Sequence, residues 1–349
     1  MPEKWVLQQY QALPLTAKIH MSQARIREWY DHWNGDVCVS FSGGKDSTVL
    51  VDLVHDLYPD VPIVFVNTGL EYPELQKMAN DMNAKFIYPK MSFSEVISTY
   101  GYPIISKEIS EAIYFARKIC NGSNEEKRKT AYRKRSELLG ERLFVNDDSC
   151  VGRTGWGLQQ NGKRSMFNKE KWFQLCKETQ FMISHMCCNV MKKRPIKGYL
   201  KKNHLYPYVG TLAEESRLRE QAWVKHGCNA FDAKRPMSKP LSFWTEQDIL
   251  QYIKEHNLEI ADVYGDIVEK DGCLCTTGAN RTGCIWCLFG IRQDSDRLLR
   301  LKELEPKRYE FVLGGGEFVD GFWQPNKEGL GYKFVIDWLN EHGNMGIKY

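Results

Sequence analysis

The chain of 349 residues lacks the features that mark several large protein classes. No apolar run reaches the roughly 18 residues that a membrane-crossing helix needs. The first residues, Met1-Pro2-Glu3-Lys4-Trp5, carry no basic-then-apolar leader, so no secretory signal is expected. There is no internal repeat and no low-complexity tract, so no repeat architecture is expected. Strong charge of either sign is also missing. A net charge of +4 suits anionic ligands without supplying the clustered basic surface that nucleic acid demands. With 26% charged and 42% hydrophobic residues, the remaining class is a soluble globular protein, expected in the cytoplasm. Its length allows one large domain, or an α/β domain with a smaller one appended.

Cysteine is not scarce. Eleven are present, and in a cytoplasmic chain they point to metal binding or redox chemistry rather than to disulfides. Some are plain core residues, because a thiol packs as a small hydrophobe. Cys38, inside the apolar run Val37-Cys38-Val39, is one of these. No cysteine follows Cys287.

The most informative stretch is Ser40-Phe41-Ser42-Gly43-Gly44-Lys45-Asp46-Ser47-Thr48, between that run and the apolar Val49–Val54 segment. It reads as a buried strand, a Gly-rich turn and the start of a helix. Two glycines let a ligand approach the main chain. Ser42, Ser47 and Thr48 offer hydroxyls and Lys45 a cation, and a helix start offers N–H groups and a dipole suited to anions. The string is a phosphate cradle without the Walker spacing G-x-x-x-x-G-K-[ST]. A second strand, Val61–Val66, is apolar throughout, as in a sheet covered on both faces. It runs into Asn67-Thr68-Gly69-Leu70-Glu71-Tyr72-Pro73-Glu74. Ligands bind at the carboxyl ends of strands in open α/β sheets, so this segment is expected to face the same crevice as the cradle.

Together the two motifs resemble those of the phosphoadenosine phosphosulfate (PAPS) reductase family, within the adenine-nucleotide alpha-hydrolase (PP-loop ATP pyrophosphatase) superfamily. The resemblance implies an open, mostly parallel twisted sheet with helices on both faces. It implies nucleotide contacts from Ser40, Phe41, Ser42, Gly43, Gly44, Thr48, Asn67 and Thr68, with Glu71 near the phosphates or a metal. Arg217, less surely Arg219, is the arginine expected near the nucleotide; a surface helix with Glu–Arg pairs is the competing reading.

The rest of the chain is read more coarsely. Residues 1–35 are expected as an N-terminal helical segment, from the helical spacing of Ile19, Ile26, Trp29, Tyr30 and Trp33. The nucleotide-binding α/β domain follows over 36–260, interrupted by a basic insertion at about 107–170. Within it, Glu125–Arg142 reads as a charged helix, either a solvated face or a contact for a phosphate-rich substrate. Asp147–Arg164 reads as a loop over the crevice. Trp172–Met191 is expected as one helix, Leu205–Thr211 as a strand, and Thr245 as the N-cap of a helix through Glu255. A cysteine-containing region, 261–349, is expected to pack on the active site.

The adjacent pair Cys187-Cys188 and the later C-x-x-C of Cys284 and Cys287 supply the four thiolates that a [4Fe–4S] cluster needs. The layout resembles the iron–sulfur branch of the family, which includes adenylyl-sulfate reductases and sulfur-inserting enzymes of the DNA-phosphorothioation type. A compact zinc site on Cys273, Cys275, Cys284 and Cys287 is the rival. Sulfonucleotide reductases usually carry a degraded loop and a C-terminal E-C-G-L-H segment; this chain keeps the loop and has no such segment. The resemblance therefore implies an ATP pyrophosphatase that activates an acceptor for sulfur transfer. Ser42, Gly43, Gly44 and Ser47 would hold pyrophosphate, Lys45 would stabilise charge on the bridging oxygen, and Asp46 would act with Mg²⁺, making Lys45, Asp46 and Ser47 the catalytic set. A nucleic-acid acceptor and a cysteine desulfurase as sulfur donor are the implied partners. A sulfonucleotide reductase that uses Cys273 or Cys275 and releases sulfite is one alternative. A nucleotide-binding regulatory module without turnover is the other.

Overall fold

Val37–Phe41 forms β1, with four of its five residues buried, and pairs in parallel with β2 (Ile63–Val66) on one side. β3 (Lys85–Ile87) extends the sheet beyond β2, and β4 (Tyr206–Val209) lies against the other side of β1. β5 (Asn229–Ala230) and β6 (Met237–Ser238) complete six strands in the order β3-β2-β1-β4-β6-β5. All neighbours are parallel except β5 and β6. The fold is α/β with a mostly parallel central sheet. Strand order reverses between β1 and β4, and a sheet of this kind opens a crevice beyond the carboxyl ends at such a reversal.

This computed structural model describes residues 4–120, 170–176, 179–292 and 294–349. The expected basic helix over Glu125–Arg142 and the expected loop over Asp147–Arg164 lie outside them. No helix among the described residues is long and apolar enough to cross a membrane.

The chain divides into two units that cut across the expected boundaries. One is Met1–Lys90 with Lys192–Cys284, the other Met91–Met191 with Ile285–Tyr349. The N-terminal segment is helical, as Lys4–Gln11 and Leu15–His32, and falls in the unit that holds the sheet. The helix Leu15–His32 buries Ile26 and Trp29 in the sheet core, and the Tyr208 hydroxyl donates to the Ile26 carbonyl at 2.8 Å. Residues 261–284 also stay with the sheet. There β7 (Ile267–Lys270) and β8 (Cys273–Thr276) form an antiparallel hairpin. The Gln247 amide holds the Leu274 backbone through both its N–H (2.8 Å) and its carbonyl (2.9 Å).

In the second unit, Tyr102 is fully buried against Tyr332 and donates to the Leu330 carbonyl at 2.7 Å. It also carries the short hairpin of β9 (Glu317–Val319) and β10 (Phe322–Gln324). The single helix expected over Trp172–Met191 is replaced by a helix at Glu170–Cys176 and a π turn at Asn189–Lys193. Between them Phe181 and Ile183 are both fully buried and bridge Trp323 and Tyr102. Two residues apart, they can share one buried side only in an extended chain.

Candidate functional site

The turn after β1 is shaped by its glycines. Gly43 has φ +75°, and a Cβ there would stand 2.6 Å from the Leu75 Cβ, so conformation and space both require glycine. Gly44 is extended and caps the helix Lys45–His55, which therefore begins four residues before the apolar run that starts at Val49. The Ser47 hydroxyl ties the turn together. It donates to the Gly44 carbonyl at 2.8 Å, accepts the Ser42 N–H at 3.2 Å, and lies 3.0 Å from the Ser42 Oγ. Thr48 is buried and donates back to the Gly44 carbonyl at 3.2 Å.

Over this turn lies a cavity of about 430 Å³, within the range of small-molecule sites. Ser40, Ser42 and Gly44–Ser47 form one wall and the end of β4 with the residues after it, Val209–Leu212, another, which places it at the sheet's reversal point. Glu214, Glu215, Arg219 and Glu246 add a charged rim, and Tyr264 with Asn280, Arg281 and Thr282 close the far side. Every one of these residues belongs to the first unit.

Among the residues expected at a nucleotide, Ser40, Ser42, Gly44, Lys45, Asp46 and Ser47 line the cavity. Phe41, Gly43 and Thr48 are buried and do not line it. Arg217 is exposed and outside it, whereas Arg219 is in its wall. Asn67, Thr68 and Glu71 do not line it either. Glu71 is buried in its own turn, where it accepts the Thr68 N–H at 3.0 Å and the Thr68 hydroxyl at 2.8 Å. It also pairs with Lys192 at 3.0 Å. Asn67 holds the Gly69 N–H at 2.9 Å, so both residues brace the loop after β2.

The electrostatics of the cavity are nearly balanced. The buried Lys45 ammonium lies 3.0 Å from Asp46 and 3.2 Å from Glu246. Burial works to discharge it, but the two carboxylates outweigh burial and hold its pKa above the ordinary lysine value. Arg281 pairs with Glu215 at 2.8 Å, and Arg219 pairs with the same carboxylate. Burial and the neighbouring Arg281 hold Arg219 below the ordinary guanidinium value. Burial pushes Glu214 above the usual carboxylate range; Glu246, Asp248 and Asp46 add to this, against the Glu246 N–H that donates to it at 2.6 Å. Each cation in the wall thus holds a carboxylate that an incoming anion would replace.

Sequence reasoning did not single out Tyr264, Asn280, Arg281 or Thr282. They come from irregular segments on either side of a hairpin, where no periodicity marks them. Glu246 follows Thr245, in a stretch whose sequence marks only the start of a helix.

The sequence pattern of the phosphoadenosine phosphosulfate reductase domain matches residues 36–139 and 157–279, more than half of the chain. The chain belongs to this family. An adenosine 5'-phosphosulfate reductase of Staphylococcus epidermidis is 21% identical over 259 residues, covering 72% of this chain and 75% of the relative. An uncharacterised protein of Methanocaldococcus jannaschii is 21% identical over 319 residues, covering 86% of this chain but only 54% of its own length. The crystal structure of a PAPS reductase from Candida auris aligns with TM-score 0.36 at 12% identity, over 72% of this chain and 89% of that one.

Cys187, Cys188, Cys284 and Cys287 are the residues expected to hold a cluster. The Cys187 and Cys188 sulfurs are 3.8 Å apart. Burial, with the neighbouring Cys188 adding to it, pushes up the Cys287 thiol. Thiolates suit an iron–sulfur centre, yet among the described residues no group of three or more Cys, His, Asp or Glu is placed to hold a metal ion. The donor chemistry suits iron–sulfur ligation by this set and zinc ligation by the rival set of Cys273, Cys275, Cys284 and Cys287. Cys38 is fully buried in β1, and burial pushes its thiol up to about 12, as befits a core residue.

Proposed function

We propose that this PAPS reductase-family protein is an enzyme that binds an adenine nucleotide in the cavity at the ends of β1 and β4 and acts at the anionic groups beyond its α-phosphate. The observation that carries the reading is the intact turn from Ser42 to Ser47. Its main chain opens over a helix N-terminus, and a buried, charged Lys45 lies beside it.

The names of the relatives favour a sulfonucleotide, adenylyl sulfate or its 3'-phosphorylated form, reduced to sulfite and a nucleoside phosphate. In that reaction Lys45 would neutralise charge on the nucleotide's departing phosphate oxygen, and thiols would provide the two electrons. No cysteine lines the cavity, so the thiol would have to come from outside its walls.

The complete Ser-Gly-Gly-Lys-Asp-Ser string favours a second reaction, cleavage of ATP to AMP and pyrophosphate to activate an acceptor for sulfur transfer. Ser42, Gly44 and Ser47 would then bind pyrophosphate, and Asp46 would meet a Mg²⁺ ion carried in by the phosphates. One anaerobic assay separates the two. ATP, adenylyl sulfate and PAPS are each incubated with dithiol reductant, and sulfite, AMP and pyrophosphate are measured. Sulfite without pyrophosphate establishes the reductase; pyrophosphate from ATP establishes the second reaction. Failure to bind any of the three nucleotides would overturn both.

A further inference from the structure

The wall of the cavity opposite the glycine turn contains a pair of hydroxyls with no place in the reading above. Tyr264 is buried, and its hydroxyl accepts the Lys45 N–H at 3.2 Å. That N–H is the first of the helix, where the anion-binding field of a helix terminus is strongest. The Tyr264 hydroxyl is also 2.9 Å from the hydroxyl of Thr282. The two oxygens, with the Ser42 Oγ, converge on Gly44: a Cβ on that glycine would lie 3.2 Å from Tyr264, 3.3 Å from Ser42 and 3.4 Å from Thr282. Three hydroxyls and a helical N–H therefore surround one small space above the turn.

We infer that Tyr264 and Thr282 are part of the anion seat: the hydroxyls that meet the Lys45 N–H and each other donate, in the complex, to the phosphoryl or sulfuryl oxygens of the nucleotide. This rests on the nucleotide reading and adds to it two ligands that no sequence motif marks. The exchange is balanced in hydrogen bonds. The Lys45 N–H passes from the Tyr264 oxygen to the anion, and the hydroxyl proton that one partner now donates to the other turns onto the anion as well. Tyr264 suits the task because a phenol is a hydrogen-bond donor at neutral pH, and burial raises this one further above its ordinary value.

The surrounding backbone places the pair. The Gly278 N–H donates to the Tyr264 carbonyl and the Ala279 N–H to the Val263 carbonyl, both at 2.8 Å, closing the base of the β7–β8 hairpin. A Cβ on Gly278 would meet the Val263 carbonyl oxygen at 2.4 Å, so the approach of the two segments requires glycine there. The hairpin base thus fixes Tyr264 beside the segment that carries Thr282.

The test is a binding comparison on the full chain with Tyr264→Phe and Thr282→Val. ATP and adenylyl sulfate serve as anionic probes, and adenosine as the probe without an anion. A hydrogen bond to a charged group typically contributes enough that each variant should lose roughly tenfold or more in affinity for the anionic probes. Adenosine affinity and the melting temperature should stay near wild type. Equal losses for adenosine and the nucleotides would mean a purely structural role and overturn the inference. Unchanged nucleotide affinity in both variants would overturn it too. If the wild-type protein itself binds neither anionic probe, the nucleotide reading falls first and this inference with it, so the two failures are told apart by the wild-type measurement.

Discussion

The Lys45 ammonium meets the Glu246 carboxylate at 3.2 Å, although the two come from distant parts of the first unit's sequence. Lys45 opens the helix after the glycine turn, and Glu246 opens the helix that Thr245 caps. Two helix starts therefore converge on one cavity. A carboxylate at a helix N-terminus is at home there, but this one also occupies the cation that a phosphate would use. Glu246 is half-exposed and can be displaced, whereas Asp46, next in sequence to Lys45, stays with it. Glu246→Gln should therefore tighten binding of ATP or adenylyl sulfate by a few-fold, read by calorimetry, whereas a weakened complex would show that Glu246 assists the ligand.

Lys45→Ala removes the only cation on the glycine turn. Loss of one preorganised charge-stabilising donor typically slows a reaction about a hundredfold or more. Release of sulfite or pyrophosphate should fall by at least that factor while circular dichroism and melting temperature remain near wild type. Turnover at the wild-type rate would remove Lys45 from the chemistry.

The pH response follows from the raised pKa of Lys45, whose ammonium is favoured by Asp46 and Glu246 over the opposing effect of burial. While Asp46 and Glu246 are ionised, the stabilisation from that ion group is present up to the free lysine value of about 10.4 and is lost as pH rises through the higher folded value. Nucleotide affinity should therefore show no Lys45-dependent fall between about pH 7 and 10. A falling limb below pH 10 that disappears in Lys45→Arg would contradict the assignment.

How much of this was legible beforehand depended on whether a residue's role was local. The turn from Ser42 to Ser47 could be read directly, because its glycines, hydroxyls and helix start act within a few bonds of each other. The strands β1, β2 and β4 were equally plain, since apolar runs of that length have few other ways to be buried. Arg219 could not be separated from Arg217, because the helix begins at Arg217 after a short 3₁₀ turn, and that offset decides which arginine faces the cavity. Glu71 looked like a phosphate or metal residue by motif, and its bonds to Thr68 and Lys192 appear only once the chain is folded. Tyr264 and Thr282 meet through the closure of a hairpin, which no local pattern encodes.

Gly43→Ala should damage the protein twice over. Its φ of +75° is unfavourable for alanine, and the new Cβ would stand 2.6 Å from the Leu75 Cβ. Strain of this kind typically costs about 1–3 kcal/mol. Denaturant unfolding should show a loss of that order, with nucleotide affinity falling as well because the turn must shift. An unchanged midpoint would mean that Leu75 moves aside freely.

The cysteine layout makes a prediction independent of activity. Protein purified without oxygen and carrying a [4Fe–4S] centre on Cys187, Cys188, Cys284 and Cys287 should be brown, absorb broadly near ~400 nm, and contain iron and acid-labile sulfide in equal amounts. Cys187→Ser should bleach it. Colourless protein with stoichiometric zinc, retained in Cys187→Ser and lost in Cys275→Ser, would transfer the metal to the Cys273–Cys287 set.

A buried ion pair in the first unit holds the start of the helix that carries Glu246. Lys18, 1% exposed, donates to Asp248 at 2.6 Å and to the Gln11 carbonyl at 2.7 Å. The same Asp248 oxygen accepts the Thr245 N–H at 2.6 Å and its hydroxyl at 2.8 Å, so the pair also fixes the start of the helix that presents Glu246. Lys18→Met would leave the Asp248 carboxylate buried without its cation, and breaking such a pair from one side costs about 3–5 kcal/mol. Urea unfolding should show that loss. Lys18→Met combined with Asp248→Asn should recover part of it, because an amide needs no counter-charge and can still accept the Thr245 N–H. If the double variant were no more stable than Lys18→Met alone, the lost packing of the lysine stem, and not the orphaned carboxylate, would be the source of the instability.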